Sequence, residues 1–399
     1  MLTQRKFSQF LASAAPAAFG CVAVLAVASP ALADTTVSTG TTATYKTSAA
    51  GNVTIASTGT LTGTPGPVVT VDSSSNVTVN GGGIINAGTA TTAANGAIGI
   101  QLNPGVTTTI TNTGSITALE NFTPTTISSG FVESAVSGVS GRYGIYGAAG
   151  TTINGTIVNS AATTVGSSTY TGTITIDGEH SAGIQIDGDL KGSLNTQGAI
   201  AILGDSSYGV KLNTVTGNVT IGGTVQVTGS ASQGYVQSGA VTGAILIDGA
   251  ITNGYSYTDT SGTALVMSRS LLNTGTPVGT TYLAAGLAPI VEIDGNVTGG
   301  VLINAPTTST STDTNRGSIT SYGNNPALQI GGASNITIGS GTTNNGAFAL
   351  GIDGQVSANA YTTSTAAYAT VIGGRGGNVT LTNGLEVYGT VSATTIAPL

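Results

Sequence analysis

Few residues of this sequence could take part in acid–base or metal chemistry. His180 is the only histidine and follows Glu179 in an Asp-Gly-Glu-His run, which predicts an exposed turn residue rather than a general acid or base. Cys21 is the only cysteine. Zinc sites need clusters of histidine and cysteine, and a serine nucleophile needs a histidine partner. We therefore expect no catalytic, cofactor-binding or metal-binding residue and no enzymatic activity.

Aspartate is the one acidic residue that recurs in a fixed local pattern, Ile-Asp-Gly. The pattern contains Asp177, Asp187, Asp248, Asp294 and Asp353. Stacked aspartates with lysine or arginine are typical of solenoids that cleave polysaccharides, which is the enzymatic alternative for this chain. Only Asp187 and Asp294 align with each other in the repeat described below, and they fall in non-adjacent copies. Because Asp-Gly readily forms turns, we interpret these aspartates as structural.

Two further motifs have weak chemical implications. The run 373–378 half-resembles a calcium-binding nonapeptide, but it occurs once and has asparagine in place of aspartate. Calcium-binding rolls need tandem copies, so no calcium site is predicted. Asn-x-Thr occurs at Asn52, Asn76, Asn218, Asn296, Asn335 and Asn378. We interpret it as a by-product of the repeat rather than as a set of glycosylation sites.

The elements that would position these residues follow from a repeat of about 25 residues. Similar segments begin at Ser181, Ser207 and Ser232, at spacings of 26 and 25 residues. Weaker copies lie at 290–299 and 377–381. Within each copy, apolar residues alternate with polar ones and glycines separate the runs, which predicts short strands joined by corners. We expect glycine at these corners because a positive φ costs it nothing.

A unit this short cannot bury its own apolar face, so it must stack on its neighbours. Stacking places parallel strands about 4.8 Å apart, with isoleucine, valine and leucine inside and threonine, serine and asparagine outside. The sequence therefore predicts an all-β, right-handed parallel β-solenoid. An array of β-sandwiches with threonine-rich strands is the alternative, but it does not predict such a short repeat.

The N-terminal segment has the features of a secretory signal peptide. Arg5 and Lys6 precede an apolar run at 14–27, and a small-residue cleavage site ends at Ala33. We predict a signal peptide over 1–33. The alternative is a transmembrane anchor, which proline and glycine within the run disfavour.

Charge limits the partners of the exported chain. Charged residues make up 6% of the sequence, against about a quarter in typical proteins. Without the two basic residues of the signal peptide, seven of the nine lysines and arginines remain beside sixteen acidic residues, a net charge of −9. Nucleic acids and anionic membranes need basic patches, so neither is expected as a partner.

The chain divides into four predicted regions. The signal peptide at 1–33 precedes a solenoid start or cap at 34–95 whose register is not defined, a solenoid at 96–390 and an end at 391–399 that we expect to be truncated. The solenoid has four predicted insertions, at 119–141, 253–288, 305–315 and 359–367. Insertions in solenoids map to loops on one flank, often the binding side. Tolerated drift is the alternative, because long loops cost little entropy.

Among these insertions, 253–288 is the predicted contact loop because it has three tyrosines. These residues are Tyr255, Tyr257 and Tyr282.

A signal peptide followed by coils such as 207–225 resembles the passenger region of bacterial autotransporters, the type V secretion family, over most of 96–390. The resemblance implies a β-solenoid that reaches the cell surface through an outer-membrane β-barrel translocator. No barrel sequence follows residue 389 here, so the translocator is expected in a longer form of the chain or in a separate protein. No site residue of the family transfers to this sequence.

The predicted function is therefore that of an exported cell-surface passenger with a structural or adhesive role. Its expected partners are surface glycans or proteins and the translocator. A polysaccharide-active enzyme on the same scaffold and an inert spacer for a downstream domain are the alternatives.

Overall fold

The structure is a computed structural model of the 399-residue chain. The residues that it describes are 32–63, 66–89, 91–121, 137–165, 167–229, 231–253, 255–258, 264–267, 288–304, 317–323, 325–340, 348–360 and 366–395. Residues 1–31 of the predicted signal peptide, the whole insertion 305–315 and residues 396–399 lie outside these ranges.

Short strands make up most of the described chain. The first eleven are β1 (Thr35–Val37), β2 (Gly40–Thr42), β3 (Tyr45–Lys46), β4 (Val53–Ile55), β5 (Thr60–Thr62), β6 (Pro67–Val71), β7 (Val77–Val79), β8 (Ile84–Gly88), β9 (Ile98–Leu102), β10 (Thr107–Asn112) and β11 (Ser115–Ala118). The next fifteen are β12 (Tyr143–Gly147), β13 (Thr152–Asn159), β14 (Thr163–Val165), β15 (Ser168–Tyr170), β16 (Thr173–Asp177), β17 (Ala182–Ile186), β18 (Asp189–Lys191), β19 (Leu194–Thr196), β20 (Ala199–Leu203), β21 (Tyr208–Leu212), β22 (Val219–Ile221), β23 (Thr224–Thr228), β24 (Gln233–Gln237), β25 (Ile245–Ile247) and β26 (Ala250–Asn253). The last thirteen are β27 (Tyr255–Thr258), β28 (Ala264–Met267), β29 (Val291–Ile293), β30 (Val301–Ile303), β31 (Ser318–Tyr322), β32 (Leu328–Ile330), β33 (Ile336–Ile338), β34 (Leu350–Ile352), β35 (Gln355–Ala360), β36 (Thr370–Ile372), β37 (Val379–Leu381), β38 (Leu385–Val387) and β39 (Thr390–Thr395).

Three parallel sheets share these strands, and each coil of the chain adds one strand to each sheet in turn. Sheet A has the order β1-β4-β7-β10-β13-β19-β22-β25-β30-β34-β38, with β18 also paired to β13. Sheet B has the order β2-β5-β8-β11-β16-β20-β23-β26-β31-β35-β39, and sheet C the order β3-β6-β9-β12-β17-β21-β24-β29-β32-β36. A short ladder of β33 and β37 lies beside them.

The pairing confirms the predicted parallel β-solenoid. Neighbours within the three sheets run parallel and are one coil apart in the chain. Among the described strands, only the hairpins β14–β15 and β27–β28 pair antiparallel, and both lie outside the three sheets. Because a β-sandwich consists of antiparallel sheets, that alternative is wrong for this chain.

The core is a column of apolar side chains that no single coil could bury. Along one inward column of sheet A, each residue lies opposite the next and is buried. The column contains Val53, Val77, Ile110, Ile157, Leu194, Val219, Ile245, Val301 and Leu350. Burying such a side chain contributes about 1.5–3 kcal/mol, which here depends on the coils above and below.

Glycines occur at the corners as predicted, and some of them, such as Gly82 and Gly105, have the expected positive φ, but others are required for a different reason. Gly198, Gly223 and Gly249 occupy equivalent corners in successive coils, and none of them has a φ in the left-handed region. A Cβ on Gly223 would collide with the carbonyl oxygen of Gly198, and one on Gly249 with that of Gly223. Glycine is required there because successive coils approach too closely for a side chain.

Asparagines link successive coils at the corner before sheet A. The Asn52 Oδ1 accepts a hydrogen bond from the backbone N–H of Asn76 at 2.8 Å, and the Asn218 Oδ1 accepts one from Ala244 at 3.0 Å. The same kind of bond is accepted by the Oδ1 atoms of Asn76, Asn296 and Asn335, and the backbone N–H of Asn378 donates the bond to Asn335. The recurrence of this pattern therefore reflects hydrogen bonds between coils.

The coils begin at β1, within the segment for which the sequence showed no register. Val53 of β4 lies opposite Val77 of β7, and Leu61 of β5 lies opposite Ile85 of β8. The helix α1 (Thr47–Ala50) is inserted between β3 and β4. In the part of the chain that the structure describes, no helix has the length and apolar character to cross a membrane.

Candidate binding face

The outward-facing side of sheet C gathers much of the charge and aromatic surface of the solenoid. We call this surface, together with the corner that follows each of its strands, face C. Its principal side chains are Gln101, Tyr143, Tyr146, Gln185, Asp187, Tyr208, Lys211, Gln233, Glu292, Asp294 and Gln329. By contrast, the outward positions of sheet B are mostly threonine, serine and alanine. Of these two sheets, sheet C therefore has most of the charged and aromatic outward side chains.

Three tyrosines form an aromatic cluster on face C. The rings of Tyr143 and Tyr146 stack with centroids 4.4 Å apart and an interplanar angle of 23°. Two coils further on, the Lys211 Nζ lies 5.2 Å from the ring centroid of Tyr208, within the range of a cation–π contact. Ala182 lies between Tyr143 and Tyr208 in the ladder and is fully buried beneath them.

Asp187 joins the aromatic cluster to the polar side chains around it. Its Oδ1 lies 3.0 Å from the Lys211 Nζ, and its Oδ2 accepts a hydrogen bond of 2.6 Å from the Gln185 Nε2. Burial raises the pKa of Tyr143, and the nearby phenol of Tyr146 and the carboxylate of Asp187 raise it further. These groups therefore lie in one another's electrostatic field.

A pair of carboxyl groups forms a second cluster on face C. The Glu292 carboxylate pairs with the Arg375 guanidinium and accepts a 2.6 Å hydrogen bond from the Gln233 Nε2. Burial raises the pKa of Asp294 to about 6, and the charge of Glu292 and a side-chain hydrogen bond with it add to the shift, whereas Arg375 opposes it. The hydrogen bond requires one of the two carboxyl groups to hold a proton.

The five Ile-Asp-Gly aspartates do not come together. Asp187 and Asp294 share one column of face C but lie three coils apart, about 14 Å at 4.8 Å per coil. Asp248 and Asp353 occupy the corner between sheets A and B, and the Asp248 carboxylate accepts a bond from Asn304 at 3.2 Å. Asp177 lies at the end of β16, in sheet B. The described residues contain no group of three or more His, Cys, Asp or Glu side chains that could hold a metal ion.

His180 is an exposed residue at the corner between sheets B and C. Its φ of 51° lies in the left-handed region, as do those of Ser206 and Ala231 at the same corner of the next coils. Each is followed by a buried serine, and the backbone N–H of Ser181 donates to the Oγ of Ser207 at 3.0 Å. His180 thus belongs to a structural corner.

The insertions leave the solenoid mainly along one edge. Those at 119–141, 253–288 and 359–367 all lie between a strand of sheet B and the following strand of sheet C, at the border of face C. The fourth, 305–315, lies between sheets A and B. Most of their residues are outside the described ranges.

The predicted contact loop contains a β-hairpin. Tyr255 lies opposite Met267 and Tyr257 opposite Leu265 in the antiparallel pair β27–β28. Tyr282 lies outside the described residues.

The residues of face C were not predicted as a site. Lys211 alternates with the buried Val210 and Leu212, which marks it as outward-facing, whereas strict period-2 alternation would place Tyr208 on the inward side with them. Tyr143 and Tyr146 occupy the same two positions of an earlier coil. Aligning coils by outward residues would have revealed the column of Tyr146, Gln185 and Lys211, but not the tyrosines three residues earlier.

Comparisons with known proteins give no relative for this chain. No family model matches it, no curated protein matches it, and no solved structure matches it.

Proposed function

We propose that this chain is an exported bacterial cell-surface protein of the autotransporter-passenger type, with an adhesive role. In this proposal the solenoid is a rod that holds face C and its bordering loops toward surface glycans or proteins. The observation that carries the proposal is the contrast between face C, which has charged and aromatic side chains, and the outward positions of sheet B, which are mostly threonine, serine and alanine. A purely structural rod has no need for this contrast.

Several features of the chain support this proposal. The eleven stacked strands of sheet A, which are ten steps of about 4.8 Å, span about 48 Å, enough to hold a surface away from its base. The N-terminal pattern is that of a signal peptide, and no cysteine follows residue 21. Absence of disulfides suits a chain that crosses a second membrane unfolded through a translocator.

Two measurements test the proposal. Expression in a Gram-negative host should give an exported protein whose N-terminus is Asp34. The purified, fluorescently labelled protein should then bind bacterial or host cells in flow cytometry, and excess unlabelled protein should compete. An unprocessed cytoplasmic product would contradict export, and a rod that binds no surface would favour the spacer alternative.

A polysaccharide-active enzyme is the second candidate, and the Glu292–Asp294 pair is the observation in its favour. Glycoside hydrolysis by two carboxyl groups usually needs them about 5–9.5 Å apart, on opposite sides of the scissile bond. The hydrogen bond between these two groups does not provide that separation. Release of reducing sugar from acidic or neutral glycans, abolished by Asp294→Ala or Asp187→Ala, would establish this function instead.

A further inference from the structure

The geometry points to a binding site for a neutral glycan on face C, formed by the aromatic platform of Tyr143, Tyr146 and Tyr208 with Gln185, Asp187 and Lys211 beside it. This site deepens the proposed adhesive function and rests on it, since it names both the surface that binds and the class of ligand.

The aromatic surface of the platform is continuous. Tyr143 and Tyr208 lie two coils apart, about 10 Å, and only Ala182 separates them in the ladder. Although Ala182 faces outward it is 0% exposed, and the neighbouring Gln185 is 7% exposed. The tyrosine and lysine side chains therefore close over the smaller ones and form a continuous platform rather than separate rings.

The side chains of the platform match the chemistry of a sugar ring. A pyranose ring has an apolar C–H face and a rim of hydroxyl groups that both donate and accept hydrogen bonds. Tyrosine supplies a flat apolar face with a polar tip, which suits the first requirement. The amide of Gln185, the carboxylate of Asp187 and the ammonium of Lys211 together supply donors and acceptors for the second.

The charge of the platform favours a neutral ligand. Among the six side chains of the platform, Asp187 and Lys211 are the only charged groups, and they pair at 3.0 Å. Their charges cancel locally, and the protein as a whole is acidic. An anionic glycan would have to compete with Asp187 for Lys211 and would be repelled at long range.

The repeat itself supplies substitutions that remove the platform without disturbing the fold. Tyr208→Ala places at that position the residue that the preceding coil has there, Ala182. Tyr146→Gln likewise matches Gln101 and Gln185 in the adjacent coils. A loss of binding in these variants therefore reports on the platform rather than on folding.

Saturation-transfer NMR and titration calorimetry on the full chain test the site. The probes are neutral tetramers of β-1,4-linked glucose, α-1,4-linked glucose, β-1,4-linked galactose and β-1,4-linked N-acetylglucosamine, with a galacturonate tetramer as the anionic comparison. We expect at least one neutral tetramer to bind, and Tyr208→Ala and Tyr146→Gln each to weaken it at least tenfold. Tyr388→Ala is the matched control, because Tyr388 is 77% exposed and lies outside face C. It should bind unchanged.

Each other outcome overturns the site. Binding that survives both platform variants, preference for galacturonate, or no binding of any neutral tetramer would do so. The same proteins are tested on cells in parallel. Cell binding without tetramer binding would leave the adhesive function standing and remove this site. Tyr208-dependent tetramer binding without cell binding would remove the adhesive function and leave the site standing.

Discussion

At the scale of single residues, a charged side chain that is buried has a structural role, and Arg142 is the clearest case. Its side chain is fully buried, and its guanidinium donates to the carbonyl oxygens of Asp177 at 2.6 Å and Leu119 at 3.1 Å. Burial lowers its pKa, and the charges of Glu120 and Asp177 oppose that shift. Arg142 therefore holds the base of the insertion 119–141 to the body of the solenoid.

Replacing Arg142 should destabilise the protein strongly. Arg142→Ala removes the guanidinium donor from two partly buried carbonyl oxygens, so we expect it to lower the unfolding free energy by about 3 kcal/mol. Arg142→Lys has a single ammonium group in place of the fork of donors, so we expect a somewhat smaller loss. Urea titration followed by circular dichroism measures both. Arg375→Ala is the control, because this ion pair with Glu292 is partly exposed and should contribute less than about 1 kcal/mol. Equal losses in the two alanine variants would contradict the assignment.

The carboxyl pair of face C should make stability depend on pH in an unusual direction. The pKa of Asp294 is raised to about 6 in the folded protein, by burial first and by Glu292 second. Because this pKa is higher in the folded than in the unfolded protein, the folded state is most stable relative to the unfolded state when Asp294 is protonated. This stabilisation is complete below about pH 4 and is lost as the pH rises through 6. Since the group is partly exposed, we expect a change on the order of 1 kcal/mol.

Thermal unfolding at a series of pH values measures this dependence. The wild-type protein should have a Tm that falls between pH 4.5 and 7, and Asp294→Asn should flatten that slope. Tyr388→Ala, which changes an exposed side chain outside face C and removes no carboxyl group, serves as the control and should leave the slope unchanged. A Tm that rises over this interval in the wild type, with the same slope in Asp294→Asn, would disprove the coupling.

Sequence reasoning at this scale found alignments but not contacts. It aligned Asp187 with Asp294 because both precede glycine in matched copies of the repeat. It did not bring Glu292 to Gln233 and Arg375, which are 59 and 83 residues away in the chain. The intervening insertions have no fixed length, so the number of residues between two contacts does not reveal how many coils separate them.

At the scale of elements, a column of glycines determines how sheet C packs on sheet B. Gly144, Gly183 and Gly209 occupy the same position of successive sheet C strands. A Cβ on Gly183 would lie 2.5 Å from the Cγ2 of Ile200 in sheet B and 2.8 Å from the carbonyl oxygen of Gly209. The glycine of each Ser-x-Gly segment thus lies within a strand of sheet C that packs closely against sheet B. The sequence pattern alone cannot distinguish such a glycine from one at a corner.

This column predicts a selective cost for the smallest substitution. Gly183→Ala should lower the unfolding free energy by about 1–3 kcal/mol, because the methyl group overpacks the contact with Ile200. Gly40→Ala is the control, since a Cβ at Gly40 would meet nothing within 4 Å, and it should change stability by less than about 0.5 kcal/mol. Chemical denaturation compares the two. A neutral Gly183→Ala would show that sheets B and C are less tightly packed than described.

At the scale of the whole molecule, the stacking of coils was predictable where their lengths were constant. From β19 to β25, successive sheet A strands begin at Leu194, Val219 and Ile245, and this regular spacing revealed the solenoid. Near the N-terminus they begin at Thr35 and Val53, only 18 residues apart. The ladder stays in register there because corners absorb the difference in length, so a search for a fixed period fails while the fold continues.

The stacking predicts that one coil can be removed without loss of the fold. Deleting 219–244 joins Asn218 to Ile245, which lies opposite Val219 in the ladder, so the neighbouring coils should close over the gap. We expect retained β-structure, cooperative unfolding with a Tm only a few degrees lower, and a maximum dimension about 4.8 Å shorter in small-angle scattering. Circular dichroism and scattering measure these quantities.

An out-of-register deletion provides the matched control. Deleting 219–231 removes half as many residues but joins Asn218 to Ser232, which places a sheet C strand where a sheet A strand belongs. Its inward and outward residues then face the wrong partners, so this shorter deletion should expose apolar surface and lose cooperative unfolding. If the two deletions behave alike, stability does not depend on the coil-by-coil register, and the solenoid would have to be held together by something other than the ladders between adjacent coils.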